Sequence, residues 1–133
     1  VKYLLDTCVL SDFARGDPAT LTRLKATSPA EVLISSVTVM EVEFGLALNA
    51  ARARRLAPVL RALFGAVTVA AYDSADAHST AALRAALQKK GRPIGAYDAL
   101  IAGSALARGL VLVTSNEREF RRVSGLVVEN WRA

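Results

Sequence analysis

Four short apolar runs recur through this chain, and each gives way to a stretch of helical character: "KYLL" (2–5), "EVLISS" (31–36), "AVTVAAY" (66–72) and "LVLVTSN" (110–116). These runs are continuous rather than alternating, so the strands they predict are covered on both faces. Between them the spacing predicts helices over 8–15, 17–26, 37–49, 50–65, 74–91 and 96–109. A short helix or turn over 117–123 and a last strand within 125–131 complete the series. Strand–helix alternation of this kind builds a parallel sheet of four to five strands with helices on both sides, an α/β fold.

Local signals support these boundaries. Asp17 and Pro18 stand as N-cap and first helical residue, Ser36 and Ser74 as caps, and Gly91 and Gly109 as helix ends. Pro58 falls inside the 50–65 pattern and is expected to kink or split it. With 133 residues and no linker, repeat or low-complexity tract, residues 1–133 read as one domain.

Composition narrows the classes. The chain is 53% apolar, which argues against disorder. No apolar run reaches the roughly 18 residues of a membrane span, and no secretory signal is visible. Cys8 is the only cysteine and His78 the only histidine, which excludes an intrachain disulfide, a Cys/His zinc site and a multi-histidine metal centre. A cytoplasmic protein is the expectation, and a net charge of +5 suits a polyanionic partner.

Asp6 is the residue hardest to explain by stability alone, because it terminates the first apolar run. In parallel sheets ligands bind beyond the carboxyl ends of the strands. Asp6 falls at such an end, Ser115 and Asn116 at another, and Glu41 one turn into the helix after the second strand. Asp98 stands early in the apolar helix that leads into the fourth. Each acid has an ordinary explanation: Asp6 as a helix cap, Glu41 as part of a solvated face, Asp98 as a favourable charge at a helix start. Together they would repel one another unless a cation compensates. Oxygen donors of this kind suit Mg²⁺, which leaves room for substrate phosphate. An acidic pit within a basic rim fits phosphodiester chemistry. The rim candidates are Arg52, Arg54, Arg55, Lys89, Lys90, Arg92, Arg118, Arg121 and Arg122.

The segments "LLDTCVLSDF", "SSVTVMEVEFG", "GRPIGAYDALIAGSALARG" and "LVTSNEREFRRVSGLVVENW" together resemble a PIN domain, and more narrowly the VapC-type toxins of type II toxin–antitoxin systems. The resemblance spans nearly the whole chain. It implies a three-layer PIN-like fold and a Mg²⁺- or Mn²⁺-dependent endoribonuclease. It implies Asp6, Glu41 and Asp98 as acidic metal ligands, with Asn116 orienting the acids by hydrogen bonding. Thr114 belongs to the same "T-x-N" motif, and Thr7 and Ser115 are accessory hydroxyls. A fourth acid often follows the asparagine in this family; Glu117 and Glu119 are the candidates here, and "NEREF" favours Glu119. Cys8 replaces what is often a polar residue and reads as packing. The resemblance further implies an RNA substrate, a homodimer, and a cognate VapB-type antitoxin through which alone the pair meets operator DNA.

Other classes fit less well. A haloacid-dehalogenase-like phosphatase needs a second acid two residues after the first, where Cys8 stands, and a lysine after a later strand. A receiver domain needs an acidic pair after the first strand. A non-catalytic RNA- or partner-binding PIN-like regulator would have little use for the full set Asp6, Glu41, Asp98 and Asn116.

Overall fold

A computed structural model describes residues 1–132. The elements run β1 (Tyr3–Leu5), α1 (Thr7–Arg15), α2 (Pro18–Lys25), β2 (Val32–Ser35), α3 (Ser36–Ala47) and α4 (Ala50–Ala66). They continue through β3 (Thr68–Ala70), α5 (Ser74–Lys89), α6 (Ala96–Arg108), β4 (Val111–Val113), α7 (Glu117–Phe120) and β5 (Val128–Glu129). The strands form a single sheet in the order β3-β2-β1-β4-β5, and every pairing is parallel.

Helices cover both faces, as continuous apolar strands require. Within β1, Leu4 packs with Leu83, Leu87 and Ile101 of α5 and α6, while the next residue, Leu5, packs into the opposite core with Val9, Leu10, Val42 and Leu60. Leu112 and Val113 of β4 divide in the same way. The period-two alternation of a strand thus feeds two cores rather than a core and a solvent face. On the α5–α6 side the helices pack so closely that a Cβ on Gly103 would stand 1.9 Å from Thr80 Oγ1 and 2.9 Å from the Thr80 Cα. Only glycine fits there.

Several boundaries differ from the sequence reading. The cap of α3 is Ser35, whose hydroxyl accepts from Val37 N at 3.1 Å; Ser36 accepts instead from Tyr72 N at 3.0 Å, tying α3 to the end of β3. The cap of α5 is Asp73 rather than Ser74, and Asp76 returns a bond to the Asp73 amide, a reciprocal pair stronger than a lone serine hydroxyl. Helix α4 passes through Pro58 without splitting. Pro58 lies on the exposed side, where water can satisfy the carbonyl it releases, while Ala57 and Leu60 anchor the buried side. The third and fourth strands are shorter than their apolar runs: Ala66 stays in α4, and β4 ends before Thr114, whose amide still donates to Glu129 O at 2.9 Å while its hydroxyl turns to Asp6.

Strand order reverses at β1. The chain proceeds outward through β2 and β3, then returns to the other side of β1 with β4. A crevice opens beyond the carboxyl ends of strands at such a point.

Candidate active site

Asp6 stands at this reversal. Its amide donates to Val113 O at 3.0 Å, which keeps it in register beside β4 as it leaves β1. Both carboxylate oxygens are engaged. Oδ1 accepts from Thr7 N at 2.7 Å and caps α1; Oδ2 accepts from the Thr114 hydroxyl at 2.8 Å. Helix cap and crevice acid are therefore one residue, only 6% exposed.

The fully buried Thr114 hydroxyl also accepts from Asn116 N at 3.0 Å, so the turn after β4 is pinned to Asp6. Cys8 joins this network. Its Sγ lies 3.4 Å from both Asp6 Oδ2 and Thr114 Oγ1 and accepts from Ser115 N at 3.2 Å. The packing role expected for Cys8 is present, against the α1–α3–α4 core, but the thiol also does polar work. Ser115 enters the network through its backbone N–H.

On the other side of the crevice, Glu41 on α3 accepts from the Thr7 hydroxyl at 3.1 Å. Burial, and secondarily the charge of Asp6, raises its pKa, although the Thr7 bond works against the shift. Asp98, in the first turn of α6, is raised from its ordinary 3.8 to about 7. Burial is the largest cause, followed by the charges of Asp6, Glu119 and Glu41 and a hydrogen bond shared with Glu119. Every one of these influences pushes the same way.

Glu119 accepts from Gly95 N at 2.7 Å and from Asn116 Nδ2 at 2.9 Å, and these donors hold its carboxyl below the usual range. Glu117 turns away, bonded to Arg121 and to Asn130 Nδ2. Of the two candidate fourth acids, Glu119 is the one that meets Asp98. The amide of Gly95 had no part in the sequence reading; a glycine immediately before the α6 start was the available signal.

Asp6, Glu41, Asp98 and Glu119 therefore face one crevice and offer oxygen donors only. Among the described residues no three Asp, Glu, His or Cys side chains stand close enough together to hold a metal ion as they are placed. In donor type the set suits Mg²⁺, which takes oxygen ligands and retains waters.

The rim candidates scatter. Arg52 lines a cleft with Thr7, Glu41 and Arg15, and Arg55 lines its continuation with Arg15 and Arg52. Arg54 lies elsewhere on α4 beside Pro58 and Arg61. Lys89, Lys90 and Arg92 are exposed around the end of α5, as is Arg118 on α7. Arg121 is committed to Glu117, and Arg122 turns inward to Pro93 O at 3.0 Å.

The PIN domain family model matches residues 3–126. The chain is 39% identical to the tRNA(fMet)-specific endonuclease VapC of Shigella flexneri over 131 residues, 98% of each chain. This chain belongs to the PIN-domain family, among the VapC ribonucleases. The PIN domain is also 32% identical to Ribonuclease VapC2 of Haemophilus influenzae, again over 98% of each chain. Its fold superposes on a chain of the DNA-bound VapBC structure from Salmonella typhimurium with a TM-score of 0.91, at 38% identity and 98% coverage of both. No described helix of this PIN domain is long and apolar enough to cross a membrane.

Proposed function

We propose that this PIN domain is the endoribonuclease toxin of a toxin–antitoxin pair, dependent on Mg²⁺ or Mn²⁺ and acting in the cytoplasm. The observation that carries the reading is the convergence of Asp6, Glu41, Asp98 and Glu119 on one crevice, with Asp98 raised to about 7 by burial and by its acidic neighbours. Asp6, Asp98 and Glu41 would hold the divalent cation, which would supply Lewis-acid charge for phosphodiester hydrolysis.

The protein's own groups do the rest. Thr114 and Thr7 N–H fix the Asp6 carboxylate, and Gly95 and Asn116 fix Glu119 against Asp98. Glu41, held by the Thr7 hydroxyl on the far side of the crevice, completes the oxygen donor set. The cleft continuing past Arg15, Arg52 and Arg55 offers cations to the RNA backbone.

The Shigella and Salmonella relatives at 39% and 37% identity are named as specific for tRNA(fMet), which makes that RNA the first substrate to assay. Solved relatives carrying the VapBC designation support a VapB-type antitoxin as partner, with operator DNA reached through it. A homodimer completes the proposed assembly.

The test uses protein freed of any co-purified partner. It is incubated with tRNA(fMet) and with total RNA in Mg²⁺, Mn²⁺ or EDTA, beside Asp98→Asn, and new 5′ ends are sequenced. Discrete cuts that require metal and Asp98 are expected. Intact RNA after incubation with the folded protein in either metal would overturn the proposal.

A further inference from the structure

Among the arginines of the basic rim, Arg122 is placed differently from its neighbours. Arg118 and Arg121 are exposed, whereas Arg122 is partly buried. Its Nε is shut off from solvent, and its Nη1 donates to the carbonyl of Pro93 at 3.0 Å. Pro93 opens the short segment that enters α6, and two residues later the amide of Gly95 donates to Glu119 at 2.7 Å. Glu119 and Arg122 are three residues apart at the end of α7, and the Arg122 amide donates to Glu119 O at 3.2 Å. One rigid turn therefore grips the 93–95 segment twice, through a carbonyl and through an amide. Gly95 is the N-cap of α6, its carbonyl accepts from Ala99 N at 2.9 Å, and Asp98 follows within the first turn. The position of Asp98 is set by how that segment enters the helix.

We propose that Arg122 is a positioning residue, not a phosphate contact: it clamps Pro93 so that Gly95 and Glu119 hold the start of α6, and with it Asp98, in the crevice. The geometry of the clamp is independent of the substrate, while its consequence for cleavage rests on the nuclease reading above. A displacement of about 1 Å at a reacting group costs on the order of 10²-fold in rate. A lost phosphate contact acts differently. It weakens binding and reduces the salt slope by about one.

The experiment compares wild type with Arg122→Gln, Arg122→Met and Arg122→Lys. The methionine variant keeps the apolar stem should the glutamine variant fold poorly, and lysine restores one charged donor. Two readouts are taken. Hydrogen exchange at the Gly95 amide, on metal-free protein, tests the clamp without any nuclease assay. Cleavage kinetics across a range of salt separate kcat from KM.

The expected result is faster Gly95 exchange in the glutamine and methionine variants. Their kcat should fall by about 10- to 100-fold with KM and its salt slope unchanged, and lysine should recover part of both losses. Unchanged Gly95 exchange, or a raised KM with a shallower salt slope and intact kcat, would overturn the proposal. If wild type cuts no RNA, the nuclease reading fails, and the exchange measurement still decides the clamp.

Discussion

Replacing Asp98 by asparagine should stabilise the metal-free protein while removing its response to metal. Raising a carboxyl from 3.8 to about 7 corresponds to a ceiling of about 4 kcal/mol between its two protonation states. Asp98 retains contact with solvent, which screens the charges around it, so roughly half of that, about 2 kcal/mol, is the usable figure. Asparagine has the same shape and can still donate to Glu119, but it forfeits a favourable negative charge in the first turn of α6, which costs about 0.3–1 kcal/mol. Removing a buried charge, and with it the repulsion from Asp6, Glu119 and Glu41, wins by about 1–2 kcal/mol, which for a chain of this length raises the melting temperature by roughly 3–8 °C.

The sign with pH follows from the raised value. Native protein holds the Asp98 proton where the unfolded chain has released it, so wild type loses this stability as pH rises from about 4 through about 7. The advantage of asparagine is therefore small near pH 4 and complete near pH 8. Thermal melts in EDTA across that range measure it, and millimolar Mg²⁺ should raise wild type but not the variant. Should Asp98→Asn melt no higher than wild type in EDTA near pH 8, the picture of a buried, uncompensated Asp98 charge crowded by its acidic neighbours is wrong.

The two glutamates of α7 should separate cleanly: Glu119→Gln should lower cleavage by about 10- to 100-fold through loss of the group that orients Asp98, with Glu117→Gln close to wild type, as single-turnover assays would read. Cys8→Val should cost about 1–3 kcal/mol in urea denaturation by orphaning the Ser115 amide and loosening Asp6, whereas Cys8→Ser retains an acceptor and most of the activity. Gly103→Ala should destabilise by about 1–3 kcal/mol or more, seen as a lower urea midpoint, because the added methyl overlaps the Thr80 side chain and backbone.

Much of this arrangement was legible in the sequence because its causes are local. Apolar runs without alternation announced strands covered on both faces, and Leu4 and Leu5 do feed separate cores. Asp6, Glu41, Asp98 and Asn116 stood out because each follows a strand or opens a helix on the carboxyl side of the sheet. What escaped depended on contacts between distant segments. Gly95 binds Glu119 across 24 positions, and Cys8 meets Ser115 across 107. Neither residue has a side chain that advertises polar function. The basic rim was the least legible part, since a list of arginines does not say which face outward: Arg52 and Arg55 line the cleft, Arg121 is committed to Glu117, and Arg122 points inward. The shift of the α3 cap by one residue, from Ser36 to Ser35, has the same origin, because the Ser36 hydroxyl is engaged by the amide of Tyr72 in the segment after β3.

The divided carboxylate of Asp6 shapes how inactive forms of this protein can arise. One oxygen starts a helix, while the other anchors the turn that carries Asn116. A genetic selection for loss of activity would therefore sort its survivors by abundance. Lesions at Asp6 would deplete the protein, as folding and chemistry fail together. Lesions at Asp98 would leave a full complement of silent, well-folded chains, still shaped to engage whatever the active form engages.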